Sequence, residues 1–257
     1  MKKKLVLKLG TSTLTGGTDK ISRGKIEDVA RQIVNLRKDY DFVIVSSGAI
    51  ATARQFITIK GWDTEVASKQ AMSAIGQPKL IQIYNEVFSD FDLPIAQCLM
   101  TYRDFENDNS RKNTLNTIHE LLKCNYIPII NENDTVAVEE LILGDNDKLS
   151  ALVATLINAD LLILASDIDG VFDKNPHLNA DAKLVPEITD LASVRSFIEE
   201  KTSKLGTGGM TSKIQAAEIC LAKNIEMYIV NGSKNNFIAD ALSGKALKTR
   251  FVPIAKS

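Results

Sequence analysis

Phe42-Val-Ile-Val-Ser-Ser-Gly-Ala-Ile50 passes from an unbroken apolar run, through two hydroxyl residues and a glycine, into an apolar segment that opens a helix. Continuous rather than alternating hydrophobicity suits a strand buried on both faces, as in a parallel sheet. Similar runs recur at Leu5-Val-Leu7, Pro94-Ile-Ala-Gln-Cys-Leu-Met100, Ile127-Pro-Ile-Ile130, Leu161-Leu-Ile-Leu164 and Met227-Tyr-Ile-Val230. Segments of helical period lie between them. Ile26, Val29, Ala30, Ile33 and Val34 follow the spacing of one helix face, with Ser22 upstream as a cap. Leu149, Leu152, Val153, Leu156 and Ile157 repeat the pattern, and Met210, Ile214, Ala217 and Leu221 nearly do. Strands alternating with helices imply right-handed crossovers. The expected fold is therefore a three-layer α/β/α sandwich around a mostly parallel sheet.

The 257 residues are 44% apolar and 25% charged, a globular composition that excludes disorder and collagen-like repeats. Lys and Arg number 31 against 32 Asp and Glu, so nothing supplies the basic face that a nucleic-acid backbone requires. Cys98, Cys124 and Cys220 are scattered, with no C-x-x-C spacing, and read as reduced thiols rather than a disulfide framework or zinc site. No apolar run approaches the ~18–20 residues of a membrane helix. The charged start Met1-Lys-Lys-Lys4 imitates a signal peptide, but Lys8 ends its apolar stretch well short of the ~7–15 residues needed. These readings predict a cytoplasmic protein with no membrane or nucleic-acid partner. No linker or repeat is present, so residues 1–257 are expected to form a single domain with two lobes meeting near residue 150. Arg103 to Asn113, the most polar stretch, is expected to be an exposed loop or lid.

In such sheets ligands bind beyond the carboxyl ends of the strands. The first strand runs into Lys8-Leu-Gly-Thr-Ser12, the second into Ser46-Ser-Gly-Ala49, and the fourth into Asn131-Glu-Asn-Asp134. Gly144-Asp-Asn-Asp-Lys148 begins a helix, Ser166-Asp-Ile-Asp-Gly170 follows the fifth strand, and Gly206-Thr-Gly-Gly-Met-Thr-Ser-Lys213 opens another helix. Glycine turns that lead into helix N-termini let the backbone close on a phosphate and present unpaired N–H groups to it. The 206–213 segment carries three glycines, three hydroxyls and a lysine, yet neither the P-loop nor the dinucleotide fingerprint fits. Lys8 lies inside a buried strand pattern, which is costly unless an anion pairs with it or the strand end reaches water. Asp134, Asp145 and Asp147 suit chemistry and also suit turns and caps. His119 and His177 have no nucleophile partner motif, and the signatures of serine hydrolases and protein kinases are absent.

Lys8-Leu-Gly-Thr-Ser-Thr-Leu-Thr-Gly-Gly17, Ser46-Ser-Gly-Ala-Ile50, Asn131-Glu-Asn-Asp134, Gly144-Asp-Asn-Asp147 and Gly206-Thr-Gly-Gly-Met210 with Lys213 occur in this order in glutamate 5-kinases. The chain resembles that family, part of the amino-acid-kinase superfamily, from about residue 3 to its C-terminus. Acetylglutamate kinases tend to carry Lys-x-Gly-Gly at the first motif and uridylate kinases Lys-Leu-Ser-Gly, unlike Lys8-Leu-Gly-Thr-Ser12. Many family members continue into a C-terminal module of the kind found in RNA-modifying enzymes (PUA-type). The expectation here is a short form ending at Ser257. Ser166-Asp167 stands where the family usually has Thr-Asp, and Phe172 where a Tyr is common.

The resemblance implies transfer of the ATP γ-phosphoryl group to the side-chain carboxylate of L-glutamate, the first step of proline synthesis. On that reading Lys8 and Lys213 stabilise the transferring group and Asp147 holds the two ammonium groups. Ser47, Gly48, Asp134 and Asn146 bind glutamate. Lys8, Gly10, Thr11, Ser166, Asp167 and Thr207-Gly208-Gly209-Met210-Thr211-Ser212-Lys213 bind ATP. Mg²⁺ rides on the phosphates, with no residue assigned as a metal ligand. The amino acid belongs to the lobe of about residues 1–150 and ATP to that of about 151–257. The resemblance further implies a homo-oligomer, dimer or tetramer, and a working partnership with glutamyl-phosphate reductase. The alternatives are a kinase of N-acetylglutamate, carbamate or a nucleoside monophosphate, or a sensor that binds without turnover.

Overall fold

Each of the six apolar runs forms a strand of one sheet. A computed structural model describes residues 2–57, 65–137, 146–176, 178–194 and 209–254. The strands are β1 (Lys3–Leu9), β2 (Tyr40–Ser46), β3 (Ile95–Met100), β4 (Ile127–Glu132), β5 (Leu161–Ser166), β6 (Glu187–Ile188), β7 (Glu226–Asn231) and β8 (Lys248–Phe251). Their order across the sheet is β3-β4-β2-β1-β5-β7-β8-β6. The six predicted strands pair in parallel, while β8 runs antiparallel to β7 and carries the two-residue β6 at the edge.

The helices are α1 (Thr11–Thr15), α2 (Arg23–Leu36), α3 (Ala49–Arg54), α4 (Val66–Ser89), α5 (Arg103–Glu106), α6 (Asp108–Lys123), α7 (Asp147–Leu156), α8 (Gly209–Leu221) and α9 (Phe237–Ser243). Ser22 caps α2 as predicted, its side chain accepting from Lys25 N. The polar stretch from Arg103 to Asn113 is not a loop. It forms α5 and the start of α6, because Asn107 accepts hydrogen bonds from the backbone N–H groups of Asn109 and Ser110 and so nucleates the longer helix. Its exposure, which the polar composition did signal, reflects a helix face turned to solvent.

Strand parity divides the core into two layers. Leu5, Leu7 and Leu9 of β1 pack with α2, α4 and α9, while Val6 packs on the other side with α6, α7 and α8. Side chains alternate across a strand, so Lys8 shares the face of Val6 and points into the layer of α7 and α8. Three helices of that layer end alike. Asn125, Asn158 and Asn224 take left-handed φ values of 61°, 49° and 57°. In each case the next residue closes the helix: Tyr126 N donates to Leu121 O, Ala159 N to Ala154 O, and Ile225 N to Cys220 O. The three ends turn the chain back into β4, β5 and β7.

On the opposite face α4 crosses α3 closely enough that Gly76 has no room for a side chain. A β-carbon there would overlap Ala49 O and lie 2.8 Å from Ala53 N. Gly76→Ala is expected to destabilise the fold by about 1–3 kcal/mol by forcing the two helices apart. Urea denaturation checks this: the midpoint should fall at unchanged slope.

Candidate active site

The carboxyl ends of β1, β2, β4 and β5 deliver Gly10, Ser47, Asn133 and Asp167 to the same edge of the sheet, as parallel strands must. Lys8 is 4% exposed and Lys213 6%, and between them lies Asp147, which is fully buried. Lys8 Nζ stands 2.8 Å from Asp147 Oδ1 and Lys213 Nζ 3.0 Å from Oδ2. Lys213 Nζ also donates to Gly209 O one turn back, and Ser212 Oγ donates to Asp147 Oδ2. Ser150 Oγ donates to the Asp147 carbonyl, fixing the first turn of α7. Gly10 stands beside this group, since a β-carbon there would lie 3.4 Å from Lys8 Nζ. Two ammonium groups and one carboxylate meet here where little water reaches, so each charge interaction is strong.

A second cluster lies at the ends of β2 and β4. Asn146, fully buried, donates from Nδ2 to Ser46 O (3.1 Å), Ser47 Oγ (3.1 Å) and Asn131 Oδ1 (2.8 Å). Asp134 is 4% exposed and accepts from Ser73 Oγ at 2.7 Å. Burial raises the Asp134 carboxyl above the usual carboxylate range, and the Ser73 hydroxyl only partly offsets it. Asn146 Oδ1 and Asp134 Oδ1 are buried acceptors with no hydrogen-bond partner among the described residues. Two such acceptors suit a ligand that brings N–H donors and positive charge. Asn146 caps α7 and precedes Asp147, so one turn of chain joins the two clusters.

Of the other candidate residues, Gly48 takes a left-handed φ of 105° at the start of α3. Thr11 begins α1 and is exposed. Ser166 ends β5 beside β1, and its hydroxyl donates to Asp167. Met210 packs against the core below α8, and Thr211 and Ser212 lie partly exposed above it. Thr207 and Gly208 lie outside the described residues, as do Gly144, Asp145 and His177. His119 is exposed on α6. Sequence reasoning missed Ser73, Gln77 and Tyr84, three buried polar residues of α4. With Leu80 and Phe88 they recur at helical spacing, and counting polar residues among the face members would have revealed the helix.

Residues 3–231 match the amino acid kinase family. Glutamate 5-kinases from Haemophilus influenzae (strain PittGG) and Caldanaerobacter subterraneus subsp. tengcongensis are each 42% identical over 253 residues. These matches cover 98% of this chain and 69% and 68% of theirs. The chain belongs to the amino acid kinase family, in its glutamate 5-kinase branch. The family fold extends to solved structures: carbamate kinase from Giardia lamblia bound to AMP-PNP superimposes with a TM-score of 0.70 at 17% identity, and UMP kinase from Ureaplasma parvum with 0.68 at 20%. Both alignments cover 98% of this chain and 99% of the other, and they bear out the three-layer α/β architecture.

For this kinase, the charge cluster makes Asp147 a structural requirement. Asp147→Asn should cost about 3–5 kcal/mol in urea denaturation, because two buried ammonium groups lose their shared counter-ion. Adding Lys8→Met to that variant should recover part of the loss, and strictly additive effects would show that the pair does not interact.

Proposed function

We propose that the chain transfers the γ-phosphoryl group of ATP to the side-chain carboxylate of L-glutamate, giving L-glutamyl 5-phosphate and ADP, the first step of proline synthesis. The observation that carries this reading is the buried Lys8–Asp147–Lys213 cluster at the sheet's carboxyl edge, in a chain 42% identical to glutamate 5-kinases. The glutamate side chain, with a pKa near ~4.3, is already ionised at neutral pH, so no general base is required. One carboxylate oxygen bonds to the γ-phosphorus as the bridging oxygen leaves with ADP. The obstacle is an anion approaching an anion, so catalysis rests on positioning and charge neutralisation. Lys8 and Lys213 flank the transferring group and gain strength as its charge spreads. At 4 Å and an effective dielectric of ~20, one charge pair contributes about 4 kcal/mol before desolvation.

Ser47, Gly48, Asp134 and Asn146 hold the amino acid in this proposal. The unpaired oxygens of Asp134 and Asn146 suit its α-ammonium. Gly10, Thr11, Ser166, Asp167 and the Thr207–Lys213 turn hold the nucleotide. Mg²⁺ is carried on the phosphates in this proposal rather than in a protein cage. Bound there, Mg²⁺ would neutralise phosphate charge. The proposal assigns the amino acid to a lobe of about residues 1–150 and ATP to about 151–257. It also includes a homo-oligomer, dimer or tetramer, acting in the cytoplasm. Because an acyl phosphate hydrolyses readily, delivery to glutamyl-phosphate reductase belongs to the same reading. Among the described residues no helix is long and apolar enough to cross a membrane.

The test is ADP release from Mg-ATP with L-glutamate, N-acetylglutamate, aspartate and UMP in parallel, with hydroxylamine trapping acyl phosphate. Hydroxamate with glutamate alone is expected, and turnover with another acceptor would reassign the substrate. Lys8→Ala and Lys213→Ala should each lower kcat by roughly 10²–10³ with the circular dichroism spectrum unchanged. Undiminished turnover at saturation would remove that lysine from the mechanism.

Asp134 yields a further expectation with opposite signs for binding and stability. Its folded-state pKa lies above the unfolded value, so at neutral pH the buried carboxylate opposes folding, and that penalty fades as pH falls. Asp134→Asn should therefore leave thermal stability at pH 7.5 equal or higher, while the KM for glutamate rises about 100-fold. In the wild type that KM should climb as acid protonates Asp134. A variant with unchanged KM would take Asp134 out of the glutamate site.

A further inference from the structure

The glutamate cluster is held by a chain of side-chain amides that begins on α4. Gln77 is 8% exposed and its Oε1 accepts from Asn131 Nδ2 at 2.8 Å. Asn131 is 2% exposed, and its Oδ1 accepts from Asn146 Nδ2 at 2.8 Å and from the backbone N–H of Glu132 at 2.9 Å. A primary amide has one acceptor end and one donor end, so each link dictates the orientation of the next. Because Gln77 offers its oxygen, Asn131 turns its nitrogen to α4 and its oxygen to Asn146. Asn146 must then spend its nitrogen on Asn131, Ser46 and Ser47, which leaves its oxygen as the unpaired acceptor.

We propose that Gln77 is a positioning residue: through Asn131 it keeps the amide oxygen of Asn146 available to the acceptor substrate, and so selects an amino acid with a free α-ammonium over the same dicarboxylate without one. This rests on the glutamate reading given above. With Gln77 replaced by an apolar residue, Asn131 Nδ2 would be buried without an acceptor, and rotation of Asn131 would offer Asn146 a nitrogen instead of an oxygen. Two opposed N–H donors would push Asn146 away from Asn131 while the Ser46 carbonyl, which only accepts, still holds its nitrogen, so its oxygen would be displaced from the ammonium. A buried site built to receive N–H donors rejects analogues lacking them because its own acceptors go unpaired, and a displaced amide oxygen removes part of that discrimination.

The experiment compares wild type, Gln77→Leu and Gln77→Glu, measuring kcat, KM for L-glutamate, KM for Mg-ATP and the inhibition constant of glutarate, which lacks only the α-ammonium. In Gln77→Leu the KM for glutamate should rise about tenfold, with kcat and the KM for Mg-ATP within about threefold of wild type. The ratio of glutarate inhibition constant to glutamate KM should fall about tenfold. Gln77→Glu keeps an acceptor oxygen toward Asn131 and should retain the wild-type ratio. A merely structural role would weaken both ligands together, so an unchanged ratio in Gln77→Leu overturns the proposal. Equal impairment in Gln77→Glu does so too. Should Gln77→Leu fail to fold, Gln77→Met fills a similar volume without an amide and is read the same way. Wild type without turnover on glutamate would overturn the functional reading itself, whereas normal wild-type turnover with an unaltered variant ratio defeats the Gln77 proposal alone.

Discussion

Two ammonium groups stay buried at the edge of this sheet around one carboxylate that both share. Asp147 meets Lys8 at one oxygen and Lys213 at the other, and removing water makes each interaction compulsory rather than decorative. The requirement fixes three elements at once. β1 must lie in the middle of the sheet so that Lys8 emerges beneath α7. α7 must begin at Asp147, and α8 must pack along α7 with its fifth residue turned inward. The alternation of Leu5, Leu7 and Leu9 against Val6 and Lys8 meets the first demand, and the long apolar contact of α7 with α8 meets the others.

The opposite face of the sheet solves a different problem. α4 brings Ser73, Gln77 and Tyr84 into the interior, and each finds a partner on a strand end or the turn after it: Asp134, Asn131 and Ser46. A helix that carries so much polarity inward gains less from apolar burial, and close packing compensates. Gly76 lets α4 reach the backbone of α3, and Leu80, Tyr84, Val87 and Phe88 fill the space against the sheet. The two layers thus hold different chemistry: the α7–α8 layer brings Lys8 and Lys213 to Asp147, and the α4 layer orders the Asp134 and Asn146 acceptors.

Much of this was legible without coordinates. β1, β2, β4 and β5 announce themselves because burial on both faces leaves no polar alternation to confuse the pattern, and edge strand β3 keeps an apolar run although Gln97 and Leu99 are exposed. α2, α7 and α8 each keep enough apolar periodicity to be read, and Lys8 stands out as a charge in a buried strand. Other elements concealed themselves for physical reasons. α4 mixes polar and apolar residues on its buried face, which blurs the period. β6 has only two residues and β8 four, and both depend on a neighbouring strand for their conformation. The Arg103–Asn113 stretch is polar because it is an exposed helix face, and polarity alone does not separate such a face from a loop.

The three layers, the glycine turns at the strand ends and the charged residues near them can be read along the chain, because strand parity and helical period are local properties. Which of those residues meet depends on packing between distant segments. Asp147 and Lys213 lie 66 residues apart and Lys8 is farther still along the chain, and Gln77 reaches Asn146 only by way of Asn131. Ion pairs and amide orientations depend on distances of about 3 Å. Such distances are set when helices from different parts of the chain pack on one sheet, and no local pattern records them.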